Sequence, residues 1–523
     1  MGRAVLGSRR SGRGTPRRPR GRATPRRRLD RLVRPRRPRV PGRGPDRPRQ
    51  PARGRRDRRR PRRPGPCAGL AAWQPPARHA AAAASVPAST AAERRGRRAP
   101  RRVRAGPRGG DGVTRASRPL RIVVVAPLRY PIREPFAGGL ESSVHHQVRT
   151  LRERGHRVSL IATEGSDHLD QSPPEFVLPA VVFDDPAEAT DTTYPAGYLE
   201  RALPALERAL RYVADHSDDY DIVDNHSLHG VPLARADDIG VPMVSTLHTP
   251  TLPDMLAAHR SSDGPRSRFI AVSGHTAAAW AAEGVEATVL PNGVDTERWC
   301  FGPGGEDLVW SGRIVPEKGL HLALEVARRA GRRLVIAGRI GDVDYFETEI
   351  APHLGVTAHY VGELRQPELA ALVGHSGCAL VTPVWEEPFG LVIAEALVTG
   401  TPVVSFAVGG VPEVVAGSVG AALVPAGDLD GMARAAEDLL RRVGTNADAR
   451  RTVREDAVDR FSLRARAAVL ERSYAEVVAS DRRGAVTAAE AIVVGGRQRA
   501  SSSLTGGVSA VRPAGTGRRV VTA

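Results

Sequence analysis

Two glutamates eight residues apart, Glu387 and Glu395, frame the segment Trp385-Glu386-Glu387-Pro388-Phe389-Gly390-Leu391-Val392-Ile393-Ala394-Glu395-Ala396-Leu397. Its apolar run predicts a helix over 389–398, entered from a strand over 378–382. On such a helix Pro388 takes the first turn, where a missing N–H costs nothing. The N–H groups of Phe389, Gly390 and Leu391 then form an anion site reinforced by the helix dipole, and Gly390 lets a ligand approach the backbone. A rise of 1.5 Å per residue puts the two acids roughly 12 Å apart along the axis. A hydrolytic carboxylate pair needs roughly 5–9.5 Å. The spacing therefore suits two acids gripping opposite ends of an extended ligand, such as sugar hydroxyls at Glu387 and ribose hydroxyls at Glu395. One Glu capping a helix and another on its face would give the same spacing. The strand, the Pro-Phe-Gly entry and the apolar helix around them are what make the signal specific.

A second loop between a strand and a helix reads Ser311-Gly312-Arg313-Ile314-Val315-Pro316-Glu317-Lys318-Gly319. Arg313 and Lys318, five apart and flanked by glycines, suit a clamp on a diphosphate: Arg as a bidentate fork, Lys as a point charge. Such a pair stabilises a leaving diphosphate more as its charge grows. No Asp-x-Asp cluster lies near, so the cations stand in for a divalent metal, and no cofactor is expected. The bland alternative is a solvated loop with Lys318 beside Glu317. Lys318 is the only lysine in the chain, which weighs against that alternative.

Gly138-Gly139 after the first strand is a turn or a place where a phosphate or sugar meets the backbone; it is not the dinucleotide fingerprint. His248, in Ser245-Thr246-Leu247-His248-Thr249-Pro250, sits at a strand end, as does His226 in Asn225-His226-Ser227. Taken singly, His248 reads as structural; convergence of strand ends on one rim raises both histidines. His145, His146 and His229 read as structural, and Pro291-Asn292-Gly293-Val294-Asp295 as a turn at a domain junction.

The elements that must position these residues alternate. Strands are predicted over 121–127, 156–162, 221–225, 242–247, 269–273 and 287–290, with helices over 141–154 and 199–215. A second series has strands over 307–311, 333–337, 359–361, 378–382 and 402–406, and helices over 320–330, 344–354, 367–373 and 389–398. This is an α/β chain with two Rossmann-like doubly wound domains facing a cleft, which places ligands at the carboxyl ends of the strands. The expected division is a disordered Arg/Pro-rich extension over 1–118, an N-terminal domain over 119–297, a C-terminal domain over 298–460, a helix over 461–480 and a disordered tail over 481–523.

The formal charge of +21 misleads. Residues 1–118 hold 38 of the 78 basic side chains and 5 of the 57 acidic ones, so the remainder is net acidic and needs no polyanionic partner. Val113 is a candidate alternative start. Cys67, Cys300 and Cys378 lack CxxC spacing, which argues against a Cys-rich zinc site or a disulfide framework and fits a reducing compartment. No run of about 18 apolar residues and no signal-peptide pattern is present. A cytoplasmic location, at most at the inner face of the membrane, is expected.

The ordered set of motifs resembles glycosyltransferase family 4, a retaining group with the two-domain GT-B fold: Gly-Gly, Leu-His-Thr, Pro-Asn-Gly-Val-Asp, Gly-Arg-x-x-x-Glu-Lys-Gly and Glu-Pro-Phe-Gly-x-x-x-x-Glu-Ala, over roughly 119–480. The resemblance implies that Arg313 and Lys318 bind a donor diphosphate, Glu387 sugar hydroxyls and Glu395 the ribose. It puts Gly138 and Gly139 near the diphosphate, His248 near the reacting centre, and Phe389, Gly390 and Leu391 in backbone contact with sugar and phosphate. Val361, Gly362 and Leu364 should lie near the base. The last helix should cross back to the N-terminal domain. The implied donor is a UDP-sugar or GDP-mannose, and the acceptor a lipid, a glycan or a small molecule. Peripheral membrane contact is left open, and nucleic acid is not expected as a partner. An epimerase or hydrolase acting on sugar nucleotides is the alternative enzyme reading; a nucleic-acid binder with an inactive domain is the alternative class.

Overall fold

The computed structural model describes residues 118–183, 193–261 and 267–502, with side chains of the last helix described to Arg482. The expected N-terminal extension, apart from Arg118, and the candidate start at Val113 lie outside the described residues.

Thirteen strands among the described residues form two parallel sheets. The first joins β1 (Arg121–Val125), β2 (Arg157–Thr163), β3 (Val177–Leu178), β4 (Ile222–Asn225), β5 (Met243–Leu247), β6 (Ser267–Ala271) and β7 (Ala287–Val289) in the order β3-β2-β1-β4-β5-β6-β7. The second joins β8 (Leu308–Ser311), β9 (Leu334–Ala337), β10 (Ala358–Tyr360), β11 (Cys378–Val381), β12 (Val403–Phe406) and β13 (Ala421–Val424) in the order β10-β9-β8-β11-β12-β13. Every pairing is parallel. Such strands are covered on both faces, which is why they read as continuous Val/Ile/Leu runs rather than alternating ones. Ile122 and Val124 of β1 join one core, and Val123 and Val125 the core on the opposite face.

The strand order reverses between β1 and β4 in the first sheet and between β8 and β11 in the second. At such a point the flanking connections run to opposite faces and leave a crevice beyond the strand ends. The Gly138-Gly139 loop follows β1, the His226 loop follows β4, the Arg313–Lys318 loop follows β8, and the Trp385–Glu387 loop follows β11.

The helix Leu463–Ser502 returns to the first sheet. It enters through Leu463 N–H donating to Val294 C=O at 3.0 Å and packs Leu470, Tyr474, Val477 and Val478 against Ile122, Val144 and Val148. The helix is described to Ser502, and no proline interrupts the sequence from 463 to 502. A carboxylate also bridges the halves: Glu413 accepts from the N–H groups of Gly274 and His275 at 2.6 Å each, at the start of the helix Gly274–Ala281. It meets the positive end of that helix dipole.

Helix boundaries differ from expectation at two places. The helix expected over 344–354 is one helical turn, Val343–Tyr345, continued by a wide turn over Phe346–Ile350 and a tight one over Ala351–His353. Pro352 lacks the N–H needed to continue regular bonding there. The helix expected to start at 389 begins at Leu391, because Gly390 is its left-handed N-cap at φ 80°. Pro388 and Phe389 thus lie in the preceding loop.

The second domain is tied together by Arg450, which is fully buried. Its guanidinium donates to the carbonyls of Gly302, Gly374, Ser376 and Gly444 at 3.0–3.2 Å and to Thr401 Oγ1 at 2.8 Å. Burial without a carboxylate partner lowers its pKa to about 10. Removing it leaves the carbonyls of Gly302, Ser376 and Gly444 without that donor, while Gly374 C=O keeps Gly304 N–H and Thr401 Oγ1 keeps Thr399 and Val373. Arg450→Ala should cost about 3–5 kcal/mol, read as a fall in denaturation midpoint by circular dichroism. A loss under about 1 kcal/mol would contradict this role.

Candidate active site

The four loops beyond the switch points line one cavity of about 850 Å³ between the two sheets. Gly138, Gly139 and His248 line it from the first domain; Arg313, Lys318, Leu364, Glu387, Phe389, Gly390, Leu391 and Glu395 line it from the second. Val361, Gly362 and His226, also singled out in the sequence, are not in its wall. Val361 packs on the second core, and Gly362 accepts from Gly338 N–H through its carbonyl at 2.9 Å. Glu363 and Leu364 are the part of that segment that reaches the cavity.

Lys318 Nζ donates to Glu387 Oε2 at 2.5 Å. Trp385 Nε1–H donates to the same oxygen at 2.9 Å, and Lys318 Nζ stands 4.9 Å from the Trp385 ring centroid. Glu387 is buried, so two donors converge on one carboxylate in a poorly solvated corner. Glu317, considered as the partner of Lys318, instead faces Arg313 at 3.7 Å. The backbone enforces the approach of the two loops. Gly319 has φ 64°, and a Cβ there would lie 2.0 Å from Thr382 C=O. Only glycine fits both constraints.

Because Glu387 lies before the helix Leu391–Val398, the axial estimate of its separation from Glu395 does not apply. Glu395, on that helix, is buried, and burial raises its pKa to about 8. A neutral carboxyl there can both donate and accept a hydrogen bond. Phe389 is buried in the second core, edge-on to Phe461 at 6.3 Å, so its side chain anchors the loop.

The first domain closes on this corner through Gly138 and Gly139. A Cβ on Gly138 would meet Glu141 Oε2 at 3.1 Å and Arg313 Cδ at 3.7 Å; one on Gly139 would meet Leu391 Cδ2 at 3.4 Å. His248 Nε2 is 2.7 Å from His226 Nδ1. Burial first, then the neighbouring His226 and Arg466, push the His248 pKa well below the usual imidazole range, so the ring is neutral.

The structural histidines divide. Burial, ahead of its neighbour His146, lowers the His145 pKa to about 2, and His145 Nε2 faces Asp167 at 3.3 Å. His146 hydrogen-bonds Gln366 Oε1 at 3.1 Å. His229 caps the short helix Gly230–Arg235 through Nδ1 and also reaches the cavity wall. Sequence reasoning passed over Trp385 as a partner of Lys318, although it lies two residues before Glu387. It also passed over Tyr130 and Arg339, whose guanidinium lies 4.9 Å from the Tyr130 ring across the cleft. Residues 130 and 339 belong to different domains, and no local pattern joins them.

Comparison with known proteins agrees with the architecture. Residues 137–298 match the model of Glycosyltransferase Family 4, and residues 300–456 that of Glycosyl transferases group 1. The chain is 31% identical over 353 residues to a glycogen synthase of Mycobacterium tuberculosis, covering 58% of this chain and 82% of the relative. It is 30% identical over 379 residues to a D-inositol 3-phosphate glycosyltransferase of Mycobacterium avium, covering 63% and 88%. Sucrose-phosphate synthase from Thermosynechococcus elongatus superposes with a TM-score of 0.54 at 19% identity, over 69% of this chain and all of that one. Anabaena HepE in complex with UDP-glucose superposes with a TM-score of 0.52 at 20% identity, with the same coverage. The motifs, the two parallel sheets meeting at their switch points and these relatives converge: the chain belongs to glycosyltransferase family 4 and is a glycosyltransferase of GT-B fold.

Proposed function

We propose that the enzyme moves a hexose or N-acetylhexosamine from a nucleotide diphosphate sugar, a UDP-sugar or GDP-mannose, to a lipid, glycan or small-molecule acceptor. In this reading the anomeric configuration is retained and no divalent metal is needed. The observation that carries it is the Lys318–Glu387–Trp385 cluster beside Arg313, opposite Gly138, at the switch points of both sheets. The resemblance of HepE, which was crystallised with UDP-glucose, supports the donor class.

In this reading residues 119–297 form the acceptor side and 298–460 the donor side. Arg313 and Lys318 hold the diphosphate and Glu387 accepts from sugar hydroxyls. Glu395 bonds the ribose, and the Glu363–Leu364 segment lies by the base. Gly138 and Gly139 let the diphosphate approach the backbone, and the Phe389–Leu391 loop contributes backbone contacts. The acceptor oxygen bonds to the anomeric carbon on the face from which the phosphate oxygen departs. The acceptor proton passes to that departing oxygen. The growing charge on the diphosphate meets two cations held on fixed loops, so the stabilisation is greatest where the barrier is. Peripheral contact with the inner face of a membrane would fit a lipid acceptor; no helix among the described residues is long and apolar enough to cross one.

Lys318→Ala and Glu387→Ala should each lower transfer on the order of 10²–10³-fold while leaving the circular dichroism spectrum unchanged. Unaltered turnover in both variants overturns the assignment. Glu395 gives a separate check. Its carboxyl ionises at about 8 in the folded protein against 4.5 in the open chain. Between those values the unfolded state has lost a proton that the folded state retains, so stability falls as pH rises. Glu395→Gln should remove that fall. Its melting temperature relative to the natural protein should climb between pH 4.5 and 8. A difference that stays flat across the window would contradict the burial argument.

A further inference from the structure

Behind His248 runs a chain of buried polar groups that the transfer chemistry does not use. Asp224 and His226, both at the end of β4, are 0% and 2% exposed. Asp224 Oδ2 receives Gln147 Nε2 at 2.5 Å and His226 Nε2 at 2.9 Å. Gln147 has its amide oriented from the other side, because its Oε1 accepts from Arg466 Nη1 at 2.6 Å. Arg466 is held in turn by Pro291 C=O at 2.9 Å. An arginine donates only, so the Gln147 oxygen faces Arg466 and its NH₂ faces Asp224.

Two donors thus converge on one carboxylate oxygen, and with His226 neutral the proton positions along the chain are set. Gln147 Nε2 also stands 3.1 Å from His226 Nε2 and turns its proton to Asp224; a neutral His226 then carries its proton on Nε2, toward Asp224, which leaves a lone pair on Nδ1. That lone pair faces His248 Nε2 at 2.7 Å, so His248 carries its proton on Nε2. His248 lines the cavity, and its remaining nitrogen, Nδ1, is a lone pair with no protein partner among the described residues.

We propose that the Asp224–His226 pair is a positioning device that fixes His248 as its Nε2-protonated tautomer, so that a neutral imidazole offers the Nδ1 lone pair to a hydroxyl of the bound sugar or acceptor. This rests on the reading of the cavity as the site of transfer. A lone pair there attracts an O–H donor and repels phosphate. The diphosphate is then confined to the Arg313–Lys318 end, and the carbohydrate is registered at the His248 end. The device also joins three elements. Gln147 lies on the helix that follows the Gly138-Gly139 loop, Arg466 on the returning final helix, and Asp224 and His226 on and just after the strand beside β1 at the switch point.

Long-range proton–nitrogen correlation spectra of the full chain labelled with ¹⁵N-histidine test this, with His248 assigned from a His248→Gln sample. His248 should show a pyrrole-type Nε2 and a pyridine-type Nδ1. In Asp224→Asn the two tautomers should mix. kcat should fall about 10-fold, the loss of one hydrogen bond, while KM for the donor stays within about twofold. His226→Gln, whose side-chain oxygen can still accept from His248, should retain more activity than His226→Ala. A natural protein with the proton on Nδ1 overturns the proposal, as does an Asp224→Asn protein with unchanged tautomer and kcat. The spectrum of the natural protein requires neither a variant nor activity. An expected spectrum without transfer from any nucleotide sugar would sink the functional reading and leave the tautomer assignment standing.

Discussion

The bond between Lys318 and Glu387 joins two loops that are 69 residues apart in sequence and adjacent in the fold only because β8 and β11 are neighbours. A partly buried ion pair is not by itself a source of stability, since desolvating both charges offsets most of their attraction. What makes the corner persist is the backbone beneath it. Gly319 sits against Thr382, and Gly409 so close to Glu387 that a Cβ would fall 2.3 Å from its carbonyl oxygen. The loops are pinned first, and the charges are then held where they are useful. Trp385 completes the corner by giving Glu387 a second donor and Lys318 an aromatic face.

From that corner the other features follow in order. The second domain presents cations and carboxyls on fixed loops, with Arg450 bracing the far side of its core. The first domain contributes the Gly138-Gly139 backbone and the His248 imidazole, with Arg129 and Glu141 also in the wall. Glycine at 138 leaves room for the Arg313 side chain, and glycine at 139 for Leu391. The returning helix carries Arg466 into the first domain, so the element that links the domains also orders the polar chain behind His248.

Much of this was legible in the sequence because each piece has a local cause. Runs such as Arg121–Val125 and Leu334–Ala337 are aliphatic because both faces of a parallel strand are covered. The Gly-Arg-x-x-x-Glu-Lys-Gly loop and the Glu-Pro-Phe-Gly loop were recognisable because residue type and neighbours both fit a ligand. What was illegible depends on contacts between distant segments. Glu317 is adjacent to Lys318, yet it faces Arg313, while Lys318 turns to Glu387. The helix start at Leu391 depends on the left-handed conformation of Gly390, which an apolar run does not reveal. The two-residue strand β3 and the half-exposed β13 bury too little to leave a pattern. The order Asp224–His226–His248 needs two strands in register before it exists at all.

The central claim is that Arg313 and Lys318 hold a diphosphate without help from a metal. The most direct measurement is a crystal structure of the enzyme soaked with a nucleoside diphosphate in the presence of EDTA. The account predicts both phosphates between Arg313 and Lys318, facing the Gly138-Gly139 loop, with the ribose at Glu395. Phosphates bound elsewhere in the cavity, or bound there only when a divalent cation is restored, would contradict it.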